Sequence, residues 1–130
     1  MELEATREVK ELLPATLRER SEEIAGICGT AIPYEIDLPS IHTLAEAIHF
    51  LDYLACRRLH TALRAICSDD AGREAVRKGL KRVRLRNVTH IEQMRMTFSA
   101  GVLEMHCAYE QGARGVHGEE AIHQLLLTAL

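Results

Sequence analysis

A chain of 130 residues, 47% hydrophobic and 27% charged with a net charge of −3, is the material of one globular domain and is neither disordered nor fibrous. That balance gives no global pull toward nucleic acid or a membrane surface. With no Trp and 4% aromatic residues, the core has to be aliphatic. No apolar run reaches the length of about 18 residues that a membrane span needs, and the charged start MELEATREVKELLP lacks the apolar region of a secretory signal. The expected location is the cytoplasm.

Residues 2–26 read as helix interrupted near Pro14, with a stripe of Leu3, Val9, Leu12, Leu13, Leu17 and Ile24. Pro14 fits the first turn of a second helix, and Gly26 and Gly29 suit its end. The stretch AIPYEIDLP alternates, Ile32, Tyr34, Ile36 and Leu38 on one side and Pro33, Glu35 and Asp37 on the other. This is a half-buried strand, and Pro33 marks an edge.

TLAEAIHFLDYLACRRLHTALRAIC predicts the longest helix. Thr43 and Glu46 have capping-box spacing, and Leu44, Ile48, Leu51, Ala55, Leu59, Ala62 and Ile66 form the core stripe. Ser68 and Asp69 can cap a short helix, DAGREAVRKGL.

KRVRLRNV alternates with Val83 and Leu85 inward and Arg82, Arg84 and Arg86 outward. MRMTFS and VLEMHCAY follow, joined by Ala100-Gly101. A two-residue turn there pairs Phe98 with Leu103, Met96 with Met105 and Met94 with Cys107 on the apolar face. It pairs Thr97 with Glu104 and Arg95 with His106 on the other. His106 and Cys107 then point to opposite faces and cannot share a metal. QGARGVHG is a strand-to-helix connection, and GEEAIHQLLLTAL a final helix capped at Gly118 with Ile122, Leu125, Leu126, Ala129 and Leu130 buried.

The expected fold is therefore a single small α+β domain in the order α-α-β-α-α-β-β-β-α. Residues 1–30 form an N-terminal helical segment. Residues 31–130 form a largely antiparallel four-stranded sheet with helices packed on one face.

Three constellations carry possible chemistry. On the long helix His49, Cys56, His60 and Cys67 fall within about 20° of one line. Cys56 and His60 could share a metal if Cys28 or Cys107 supplied further ligands, or form a thiol–imidazole pair with Asp52 one turn to the other side of Cys56. Such a line is also the ordinary border between apolar and polar arcs. The four cysteines match no zinc spacing and contain no CxxC, and a reducing compartment favours free, buried thiols. From Arg73 to Arg86 there are seven Lys or Arg residues against Glu74. Such a segment could bind phosphate or nucleic acid. No aromatic residue shares its outward face, so nucleic acid is the less favoured partner. GARGVHG is not a nucleotide-binding motif.

No motif names a reaction or a cofactor. The expectation is a non-enzymatic, cytoplasmic protein-interaction domain, a small adaptor or an inhibitor- or immunity-type binder. Its surface is the outward sheet face of Arg82, Arg84, Arg86, Arg95, Glu104 and His106. The partner is another protein or a second copy, since the acidic N-terminal segment and the basic 73–86 segment could meet within or between chains. A small metal- or thiol-dependent enzyme on Cys56/His60 is the alternative, and a phosphate or nucleic-acid module on 73–86 the second alternative.

Overall fold

In the computed structural model, residues 13–41 and 45–130 are described. The expected first helix before Leu13, and the Thr43 cap with Leu44, lie outside them. The elements are α1 (Leu13–Cys28), β1 (Tyr34–Ile36), α2 (Leu38–Ile41), α3 (Ala45–Phe50), a π-helical turn (Leu51–Cys56) and α4 (Arg57–Ile66). Then come α5 (Asp70–Gly79), β2 (Arg82–Asn87), a 3₁₀ turn (Ile91–Gln93), β3 (Arg95–Ser99), β4 (Val102–Cys107), a 3₁₀ segment (Tyr109–Gly115) and α6 (Glu119–Ala129).

The sheet order is β1-β2-β4-β3. β2 lies parallel to both β1 and β4, and only β3 runs antiparallel, to β4. The α+β class is as expected; the largely antiparallel sheet is not. Two connections produce the difference. The chain between β1 and β2 is a long helical crossover, which returns a strand parallel to the first. Residues 88–94 carry the chain past β4 before β3 begins, so β2 pairs with β4 and not with β3.

The hairpin holds the expected register: Arg95 faces His106, Met96 Met105, Thr97 Glu104 and Phe98 Leu103. Met94 precedes the ladder, so its expected pairing with Cys107 is absent from it. The turn residues Ala100 and Gly101 have φ of 53° and 81°. Both are left-handed, as a type I′ hairpin turn requires. β1 is an edge strand, in keeping with Pro33.

Alternation on β2 settles what each face does. Val83, Leu85 and Asn87 are buried, while Arg82, Arg84 and Arg86 are exposed. Leu103, Met105 and Cys107 on β4 continue the inner face against Leu51, Ala55, Leu59, Ala62 and Leu63 of the long helix and Ile122 and Leu126 of α6. Asp69 caps α5 by accepting from the Gly72 amide, and Gly118 is the N-cap of α6.

The inner polar group of β2 is fully used. The Asn87 amide N–H donates to Ser40 Oγ and its Nδ2 to the Ser40 carbonyl. Its Oδ1 accepts from the Tyr109 amide. One side chain thus joins α2, β2 and the 3₁₀ segment after β4.

The expected long helix is interrupted by its π turn. Such a turn bonds i to i+5 and shifts the helical phase. Cys56, His60 and Cys67 are buried, but His49 is exposed and stacks on Tyr53 with centroids 4.8 Å apart. The four-residue line is broken for that reason.

The expectation of free thiols also needs correction. Cys28 and Cys67 form a disulfide, their Cα atoms 5.2 Å apart, tying the end of α1 to the end of α4. Cys56 and Cys107 are free and buried. The bridge joins positions 39 residues apart, for which chain entropy gives about 3–4 kcal/mol. The expected outcome of adding a thiol reductant, or of replacing both Cys28 and Cys67 by Ser, is a lower urea midpoint. A midpoint that responds to neither shows that the two cysteines are not bonded.

Candidate functional site

Two polar regions stand out, on opposite sides of the sheet. The first is its open face. Alternation brings all six expected residues onto it: Arg82, Arg84 and Arg86 from β2, Glu104 and His106 from β4 and Arg95 from β3. It also brings two that sequence reasoning assigned only to a strand face, Glu35 and Asp37. These are far from β2 in the chain, and only the parallel β1–β2 pairing makes them neighbours.

The arginines are matched by acids. Arg82 Nη1 lies 3.0 Å from Glu35, Arg84 Nε 3.4 Å from Glu35 and 4.0 Å by Nη1 from Glu104, and Arg86 Nε 3.7 Å from Asp37. His106 Nε2 is 3.7 Å from Glu104. Exposed pairs of this kind contribute about 0–1 kcal/mol each, so the lattice orders the surface more than it stabilises the fold. Most of the rest of the basic run is paired locally: Arg73 with Asp70, and Arg77 and Lys78 with Glu74, while Lys81 donates to the Arg77 carbonyl. Residues 73–86 are therefore not one free cationic patch.

The second region lies between α1 and α4. Arg20 holds Asp52 with Nε at 2.6 Å and Nη2 at 3.4 Å, and pairs with Glu23 through Nη1. The Asp52 hydrogen bond raises the Arg20 pKa further. The other Glu23 oxygen is 3.2 Å from His60 Nδ1, and His60 Nε2 is 2.9 Å from the Tyr34 hydroxyl.

His60 is 3% exposed, and burial lowers its pKa. In the neutral ring Nδ1–H donates to Glu23, and Nε2 accepts from Tyr34 O–H. Burial likewise holds the Tyr34 and Tyr109 phenols protonated, and it pushes the Cys56 thiol up to about 12. Cys107 is raised by burial too, partly offset by the His117 backbone amide. The Tyr109 hydroxyl has no hydrogen-bond partner of good geometry among the described residues.

These facts bear directly on the Cys56/His60 stripe. The two are adjacent in the core, yet the thiol is 1% exposed and protonated at neutral pH, the opposite of an activated nucleophile. Both His60 nitrogens are occupied, leaving no lone pair for a metal. Cys28 is in the disulfide and cannot join them. Among the described residues no group of three or more His, Cys, Asp and Glu could hold a metal ion. His106 and Cys107 point to opposite faces as expected. Among the described residues, no helix is long and apolar enough to cross a membrane.

Arg20, Glu23 and Tyr34 were not singled out as site residues from sequence, and Asp52 was placed only beside Cys56, not with Arg20. Arg20 and Asp52 are 32 positions apart, and no local spacing links them. No known protein family matches the chain, and no curated protein or solved structure is significantly similar to it.

Because the folded His60 pKa lies below its unfolded value of about 6.5, the unfolded chain binds more protons at this site as pH falls. This contribution to stability is complete above that pH and is lost as pH drops through it toward the folded pKa. Urea unfolding at pH 7.5 and pH 5.5 should show the loss. His60→Gln should flatten the pH dependence; an unchanged slope in that variant means that His60 does not titrate differently on folding.

Proposed function

We propose that this chain is a non-enzymatic protein-interaction module that works through its open sheet face, and that the surface it meets is the same face of a second copy. The observation that carries this reading is the order of charge across the strands. From β1 to β3 the columns run acidic (Glu35, Asp37), basic (Arg82, Arg84, Arg86), acidic (Glu104) and basic (Arg95).

That sequence of signs inverts when reversed. A two-fold axis parallel to the strands, midway between β2 and β4, lays each column on one of opposite sign. Arg84 then faces Glu104 of the second copy, and Asp37 faces Arg95 of the second copy. An axis across the strands would stack like on like, so the pattern selects one orientation.

Sheet topology adds support. Parallel strands are usually covered on both faces, and here, among the described residues, β1, β2 and β4 are covered on one. Four strands of this length span about 20 Å by 20 Å, or about 400 Å² per copy, half of a standard interface. The association is therefore weak, transient and salt-sensitive. The enzyme alternative is disfavoured by the buried, protonated Cys56, and the nucleic-acid alternative by acids beside each of the three β2 arginines.

Charge swapping tests the geometry. Arg84→Glu and Glu104→Arg should each abolish low-salt self-association in sedimentation velocity. An equimolar mixture of the two variants should recover it, because the mixed dimer holds one cross-copy pair with reversed sign and one native pair. A mixture that associates no better than either variant alone contradicts the second-copy arrangement.

A further inference from the structure

The cleft between α1 and α4 has a volume of about 270 Å³, and it is independent of the open sheet face. On its floor one arginine, Arg20, faces two carboxylates beside the neutral His60 ring. Asp52 is held by Arg20, and Glu23 takes Arg20 on one oxygen and the His60 ring on the other. Both carboxylates are engaged there.

The rim is cationic. Arg57 and Arg64 both line the cleft and both are exposed. They are seven residues apart on one helix, hence on one face and about 10.5 Å apart along its axis, with His60 between them. Among the described residues neither guanidinium has an ion-pair partner. Three arginines against two carboxylates leave the cleft with excess positive charge.

We infer that this cleft is a binding site for a phosphate group held between Arg57 and Arg64. Geometry favours phosphate over carboxylate. One guanidinium fork already satisfies both oxygens of a carboxylate, whereas a phosphate offers enough oxygens for two forks from different directions. The cleft is slightly smaller than the range of about 300–1,000 Å³ typical of small-molecule sites, so the carrier is inorganic phosphate itself or a small ester. Tyr53, 61% exposed, stands on the same rim and offers a ring face to an aromatic ester.

Titration of the whole chain, followed by ¹⁵N NMR at constant ionic strength set with chloride, tests this with two probes, inorganic phosphate and phenyl phosphate. Saturable 1:1 shifts at Arg57, His60 and Arg64 are expected. Joint replacement of Arg57 and Arg64 by Ala should weaken binding by about tenfold or more, the scale of a lost charged hydrogen bond. Both side chains are exposed, so the spectrum away from the cleft should persist, and Arg84→Glu on the sheet face should bind normally. Tighter binding of phenyl phosphate assigns the site to an ester; equal binding assigns it to the free ion. No saturable shift with either probe, or equal affinity in the double variant, overturns the inference.

Discussion

The strict alternation of β2 is the constraint on which the rest of the molecule depends. β2 is a central strand, parallel to β1 on one side and β4 on the other. A register slip of one residue would turn Arg82, Arg84 and Arg86 into the helices and expose Val83 and Leu85. Burying three guanidinium groups without partners costs far more than the few kcal/mol by which a domain is stable. One register therefore survives, and it decides at once where the aliphatic core lies and which face remains charged.

On the covered side, polar groups tie elements together that the apolar core alone would let slide. Neutral His60 links α1 to β1 through Glu23 and Tyr34. Asn87 links α2, β2 and the segment after β4. The π turn supplies Asp52 to Arg20 and sets Cys56 beside Tyr34. Fully bonded side chains of this kind specify a unique arrangement. They also leave the buried histidine bonded at both nitrogens and the buried thiol protonated. The disulfide adds a covalent tie at the far ends of the same two helices.

Much of this was legible from short-range pattern. Period-two alternation gave the inner and outer residues of β2, β3 and β4, and a single turn at Ala100-Gly101 gave the hairpin register. Helical spacing identified Leu51, Ala55, Leu59, Ala62 and Ile66 as core, all of them buried. Strand direction was not legible, because alternation is the same in parallel and antiparallel strands. The long helical stretch between β1 and β2 was the available signal for a parallel return. The six face residues were placed correctly by alternation. Their partners Glu35 and Asp37, and the Arg20–Glu23–His60–Tyr34 chain, arise from pairings between distant segments that no local spacing encodes. The π turn hid the fate of His49 in the same way: a phase shift within a helix leaves the apolar stripe almost unchanged.

The central claim is that the open face of this sheet is the surface the protein uses. An NMR dilution series of the unaltered chain at low salt tests it most directly, because every amide reports its own surroundings. The account predicts concentration-dependent shifts confined to β1, β2, β4 and β3 around Glu35, Arg84, Glu104 and Arg95, and their disappearance as salt is raised. Shifts that map instead to the α1–α4 side, or a spectrum that does not change with concentration, would contradict it.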